Sequence, residues 1–426
     1  MRKPMFALAA ACTVLTIGLG PVAPALAAPS ATATQTGPTA AAADSLAMPQ
    51  TLDDYRALVP QSGLPADVQT QVLAAIDQLP ADHLERQTML NRELGVDDSA
   101  VRAAISRAID PEQYECAATP LDAYVDSLLA DANFVTLLLL SLFGGLDLPA
   151  YDAVFFGHEL PRSFDGGAEN MTISHTVRDA KKFWDIPSGD IIAVPMTGSV
   201  YGLDEASQQR SVKVLTLMGG GDPENPSDVT VTLAELIRTL VHGDPALQGG
   251  HNPIFTLNAF AFSAVDEPEG SPFAGLSDRI AFGDGLFAAL DAMGIDEIGP
   301  KAVLSHEFAH HVQYERDVFG DATGPEATRR TELMADGMAG YFSTHAGGLR
   351  LNSKRLVDVV RSFNYVGDCS FTSDGHHGTP NQRARAAMWG VDLADSAGDQ
   401  GHILPSQTVI DRFEEVLPEI VAPDAD

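Results

Sequence analysis

Leu52, Tyr55 and Leu58, and then Val72, Ile76 and Leu79, recur at the three- and four-residue spacing that lays one apolar stripe along a helix. The chain from residue 51 to about 145 therefore reads as helical. Within it Ser99 stands where an N-cap would open a helix over 101–109, and Pro111 stops that helix. Residues 134–146 are apolar almost without a break. The run is too short to span a bilayer, so it predicts a buried helix ended by Gly144-Gly145. From about Tyr151 the texture changes. Residues 190–194, 211–215 and 254–262 are rich in β-branched or aromatic side chains and predict strands. Gly219-Gly220-Gly221-Asp222-Pro223 predicts a loop; it lacks the Lys-Ser/Thr of a phosphate cradle and implies no nucleotide. From Gly285 the helical period returns and holds to the end of the chain. No internal repeat is present. The pattern predicts an α+β protein with a helical N-terminal region over 51–150 and a second domain over 151–426.

The first residues read as an address. Arg2 and Lys3 precede an apolar run over 5–19, and Ala25-Leu26-Ala27 has the small-x-small form of a cleavage site. Residues 1–27 are thus expected to be a secretory signal peptide, leaving no stable membrane insertion once it is removed. Cys12 lies inside the apolar run, and Ala9 stands three residues before it where a lipoprotein signal has Leu. Residues 28–50 open on Ala, Thr, Pro and Ser and predict a flexible leader. Export puts the two remaining cysteines, Cys116 and Cys369, in an oxidising compartment, where a disulfide is expected. The alternative is latency, in which 51–150 is a propeptide and the Cys116 thiolate caps a metal.

Charge narrows the function. The 426 residues carry 58 Asp and Glu against 26 Lys and Arg, a formal charge of −32. A nucleic-acid binder and a polybasic membrane anchor both need the opposite balance. The acidity keeps the chain soluble and names no ligand.

The chemistry concentrates in Ser305-His306-Glu307-Phe308-Ala309-His310-His311-Val312. Residues four apart share a helical face, so His306 and His310 can aim two imidazoles at one point. Zinc accepts imidazole nitrogen, and a catalytic zinc needs three protein ligands with one position open. Glu307 flanks the pair, placed to take a proton from activated water. Leu304, Phe308 and Val312 give the helix an apolar stripe. A third ligand is expected from Glu332, which lies 22 residues after His310. It shares a helical face with Asp336, and Ala335 and Ala339 would let that helix pack closely. Asp336 would then fix the tautomer of a ligand histidine. Thr379-Pro380 predicts another helix start, with His377 just before it and Arg383 inside it; either could hold an oxyanion.

These residues resemble the gluzincin class of zinc metallopeptidases, and most closely the bacterial neutral zinc metallopeptidases. That family shares a His-Glu-Phe-x-His-His-Val-Gln helix, matched by 306–313, a Glu-Leu-x-Ala-Asp-x-x-Ala-Gly helix, matched by 332–340, and a His-Gly-Thr-x-x-Gln-Arg segment, matched by 377–383. Asn258-Ala259-Phe260-Ala261 resembles the edge strand that binds the substrate main chain, and Gly283-Asp284-Gly285-Leu286 continues the likeness. The match covers about 258–390. It implies a zincin-like domain, Zn²⁺ held by His306, His310 and Glu332, Glu307 as general base, Asp336 behind the ligands, Asn258 and Ala259 on the substrate, and a peptide or protein as the substrate. Two features depart from it: the N-terminal hundred residues, and Gly337 where the family carries a bulky residue. The rival from another class is a non-catalytic extracellular binding protein on the same scaffold. The sequence assigns no oligomeric state.

Overall fold

The computed structural model describes residues 48–94, 119–159, 163–265, 267–268, 270–320, 323–367, 376–395 and 402–422. The expected signal peptide, most of the leader, the helix over 101–109, Cys116 and Cys369 lie outside the described residues. The protein is mostly helical around one small sheet, an α+β arrangement.

The N-terminal helices are α1 (Leu52–Leu58), α2 (Ala66–Gln78), α3 (His83–Leu94), α4 (Pro120–Leu129), α5 (Phe134–Leu142) and α6 (Leu148–Phe156). Thr51 and Thr119 open α1 and α4 with reciprocal capping boxes, each closed by an Asp three residues on. The apolar run forms α5, capped by Asn133. The chain leaves it through Gly144, whose φ of 70° suits a residue without a Cβ.

Three strands follow among further helices: β1 (Ile192–Met196), β2 (Ala259–Phe262) and β3 (Arg279–Gly283). Their order is β1-β3-β2, with β1 parallel to β3 and β2 antiparallel to it at an edge. Strand alternation divides the sheet into two faces. Val194, Met196, Phe260, Phe262 and Ala281 point into one core, shared with Leu137 and Leu140 of α5, Tyr151 of α6 and buried Ile237 and Leu240. Ile280 and Phe282 point into the other, which contains Leu304, Phe308, Val312 and Leu333 of the candidate site segments.

The structure corrects two sequence expectations. Residues 211–215 are not a strand but part of α8 (Glu205–Met218), which follows α7 (Asn170–Phe183). Asp204 caps α8 by accepting from Ser207 N–H, and Ser211, Val214 and Leu215 bury one helical face. Residues 254–262 open as a 3₁₀ turn, Pro253–Thr256, capped by Asn252; only the last four residues are strand. The boundary expected at 150/151 falls inside α6, whose residues 148–155 are all buried. The first core draws side chains from both sides of that position. No helix among the described residues is long and apolar enough to cross a membrane.

The remaining helices are α9 (Asp228–Gly243), α10 (Asp284–Ala292), α11 (Gly299–Glu315), α12 (Pro325–Thr344), α13 (Ser353–Tyr365), α14 (Pro380–Asp395) and α15 (Ser406–Ile420). Helix α11 packs on β2 and β3, with α7, α12 and α13 around it.

Candidate metal centre

Every residue of α11 from Leu304 to Gln313 is buried, so the two histidines are held on all sides. His306 and His310, one turn apart, meet edge to face with ring centroids 4.7 Å apart. Their Nε2 atoms are 3.1 Å from each other. The Glu332 carboxylate straddles them from α12, Oε2 lying 3.2 Å from His306 Nε2 and Oε1 3.2 Å from His310 Nε2. Ligand atoms on a tetrahedron around zinc, with bonds of about 2.0–2.1 Å, stand about 3.3 Å apart. The triangle found here has nearly that edge, with two nitrogen donors and a carboxylate. Among the described residues these three form the group of His, Cys, Asp and Glu side chains that could hold a metal ion.

Both rings are turned so that Nε2 is the free donor. Gln313 Nε2 donates to Thr331 O at 2.7 Å, which fixes its amide and leaves Oε1 facing His310 Nδ1 at 2.8 Å. His310 must donate there, so its lone pair lies on Nε2. Asp336 Oδ1 lies 2.8 Å from His306 Nδ1 and has the same effect. Asp336 is fully buried, and its charge is met by Arg383 of α14, Nε and Nη2 each donating at 2.8 Å. Arg383 lies 3.8 Å from Glu332 Oε2 and over the Phe363 ring. The guanidinium expected at an oxyanion is thus placed behind the ligands, with its fork on Asp336.

Glycines bring α14 close enough for this. A Cβ on Gly340 would collide with the Ala387 carbonyl, and one on Gly390 with the Gly337 carbonyl. A Cβ on Gly337 would come within 3.0 Å of Trp389 and 3.1 Å of Phe413, so the departure from the family pattern makes room for α14 and α15. Of the two alanines expected to ease packing, Ala339 clusters with Ile298 and Ala302 at the start of α11.

The electrostatics of the cluster are strongly coupled. Burial opposes a charge on His306, but its contacts with Asp336 and Glu332 outweigh that and raise its pKa to about 9. Burial likewise disfavours the Glu332 carboxylate, while His310 and His306 hold it well below the usual range. Glu307 goes the other way: burial pushes its carboxyl up, against the pull of His306 and His310. It is only 5% exposed, and no protein group among the described residues hydrogen-bonds to its carboxylate.

Strand β2 lies against α11. Asn258, just before it, accepts from Gly283 N–H at 3.0 Å, and Ala259 pairs with Phe282. Asp278 ties strand to helix. Its Oδ1 accepts from Ser263 Oγ at 2.9 Å and Ala264 N at 3.3 Å, just after β2, while Oδ2 faces His311 Nδ1 at 3.2 Å. The other ring nitrogen of His311 lies 3.1 Å from Arg279 O. His377 is half-buried in the stretch leading into α14, and the neighbouring Gly378 approaches Leu333, the residue after Glu332. Gln313, Asp278 and His311 received no role from the sequence. Only Gln313 left a signal there, standing three residues after His310 on the same helix. Comparison with family models, with curated proteins and with solved structures gave no match.

Proposed function

We propose that the chain is a zinc-dependent peptidase with a zincin-like fold, acting outside the cytoplasm after removal of residues 1–27. The observation that carries the reading is Glu307. A buried carboxylate is ordinarily paired. Among the described residues Glu307 has no hydrogen-bonding partner, yet it stands one residue from His306 beside two imidazoles and a carboxylate that converge on one point. A purely structural metal site has no use for such a group; a hydrolytic one needs it. The antiparallel edge strand β2 against α11 supports the same reading, because among the described residues no further strand pairs with its outer side, and an extended peptide adds to such an edge.

The donor set suits Zn²⁺, which when bound polarises an oxygen donor and lowers the pKa of water. His306, His310 and Glu332 would hold it. Asp336 and Gln313 face the Nδ1 edges of the two rings and so aim both Nε2 atoms at the metal position, and Arg383 holds Asp336. Glu307 accepts the proton of the attacking water and passes it to the leaving amine nitrogen. Its raised pKa suits both steps, a base that readily becomes an acid.

The test is metal content together with hydrolysis of quenched peptides, with and without a chelator. Glu307→Gln should keep the metal and lose at least about 10²-fold in rate. A variant that cleaves at the wild-type rate refutes the mechanism. A metal-loaded wild type that cleaves nothing points instead to a binding protein.

A further inference from the structure

Among the described residues three arginines are buried: Arg238, Arg279 and Arg383. Two of them are held. Arg383 grips Asp336, and Arg238 donates to Ser211 Oγ at 2.9 Å. Arg279, the first residue of β3, is 3% exposed, and its Nε and Nη1 are enclosed without a hydrogen bond. Among the described residues no carboxylate or carbonyl accepts from its guanidinium.

The register shows where this side chain goes. Ala281, two residues on, points into the first core. Ile192 and Phe262, directly opposite Arg279 on β1 and β2, pack there as well. The guanidinium therefore stands on the face of the sheet away from the metal. Phe273, from the connection between β2 and β3, extends the Phe262 wall with ring centroids 5.4 Å apart and stacks on Phe155 of α6 at 5.3 Å. Asp278, the neighbouring carboxylate along the chain, lies on the opposite face and is taken by His311, Ser263 and Ala264.

A guanidinium keeps its proton even when buried, so Arg279 cannot escape its cost by neutralisation. A buried charge without a counter-charge is strongly destabilising. The arrangement lacks one component, an anion.

We propose that Arg279 anchors an anion site on this face of the sheet, and that its ligand is a monovalent carboxylate of about the size of acetate. A carboxylate matches the planar guanidinium with two parallel hydrogen bonds. Arg279 supplies one positive charge, so a divalent ion such as sulfate would carry an unbalanced charge into apolar surroundings. The aromatic wall suits the hydrocarbon end of the acid. With 3% of the residue exposed, the ion must be small. This site is independent of the peptidase reading.

The test is thermal unfolding of the full-length protein in sodium acetate at constant ionic strength, with and without a chelator, which separates acetate held by a metal. Tm should rise by several degrees and level off toward about 100 mM, as a Kd of about 1 mM requires. Sulfate should give no such saturation. Arg279→Met keeps the side chain's reach and removes its charge. It should abolish the acetate response and, without acetate, melt no lower than wild type. A wild type with no saturable response, or a response that survives in Arg279→Met, overturns the site. An Arg279→Met protein that melts well below wild type, or does not fold, shows an arginine bonded within the fold and overturns it too. Glu267, on the same connection, also has an enclosed oxygen without a hydrogen bond, Oε2. Should Glu267→Gln lower Tm in wild type but not in Arg279→Met, the carboxylate is the chain's own and the free-anion site is refuted.

Discussion

Replacing Gly340 by Ala should weaken metal binding, although Gly340 touches no ligand. The added Cβ would collide with the Ala387 carbonyl oxygen. Restoring ordinary contact requires α12 and α14 to part by about 1 Å. Gly340 lies one turn beyond Asp336 on α12, and Ala387 one turn beyond Arg383 on α14. The Arg383 fork, now 2.8 Å from both Asp336 oxygens, would be carried to about 3.8 Å, outside hydrogen-bond range. Asp336 would become a buried carboxylate held only by His306, and the ring would lose its fixed orientation. Overpacking alone costs about 1–3 kcal/mol of stability. Loss of the group behind a ligand typically costs about 10- to 100-fold in metal affinity. The assay is competition for zinc with a chromophoric chelator, run beside thermal unfolding of the metal-free protein. If Tm falls while zinc affinity stays at the wild-type value, the helix crossing and the ligand support are independent, and the reasoning fails.

Asp278→Asn keeps shape and removes the charge between His311 and Ser263. Zinc stoichiometry should hold while KM for peptides rises more than kcat falls, because the edge strand moves relative to the helix; an unchanged KM would show that the tie does not position β2. Asp152 is buried beside Arg210 at 3.4 Å, and burial raises its pKa to about 6. Its folded value exceeds the unfolded one, so the stability it contributes is complete below about pH 4 and is lost as pH rises through about 6, to a total of about 3 kcal/mol. Denaturant unfolding at pH 4, 5, 6 and 7 should show this fall shrinking in Asp152→Asn, and an identical profile in the variant would exclude Asp152 as its source. A chain beginning at residue 151 should not fold, because it lacks α5 and the first turn of α6; a cooperative thermal transition from that fragment would show the second core to be self-sufficient.

What the sequence made legible is what helical periodicity and short spacing determine. His306 with His310, and Glu332 with Asp336, are four residues apart, and one turn of helix puts each pair on one face whatever surrounds it. The buried helix within 134–146 was equally plain, since so long an apolar run has nowhere else to go. Contacts between distant segments left no such mark. Arg383 stands 47 residues from Asp336, and His311 stands 33 from Asp278. Nothing local tells a guanidinium whether it will face a substrate or a buried aspartate. The segment 211–215 misled for a different reason. Two valines and an alternating lysine fit a strand, but the Asp204 cap and the polar lead-in had already committed the chain to a helix.

The position of residue 150 inside α6 bears on how the site is held. Sequence texture changes there because strands begin, not because a core ends. Both faces of this three-stranded sheet carry apolar side chains, so neither can be left in water. One face carries α11 and the ligands. The other needs a cover, which α5, α6 and α9 supply in a single cluster with Val194, Phe260 and Ala281. Helices α5, α6 and α9 are therefore on the far side of the sheet from His306 and His310, in the position of a foundation. A segment that blocks a metal centre must reach its open side, and α5 and α6 are buried on the opposite one. Regulation by removing all of 51–150 would also remove the support of β2 and β3, and with it the surface on which α11 rests.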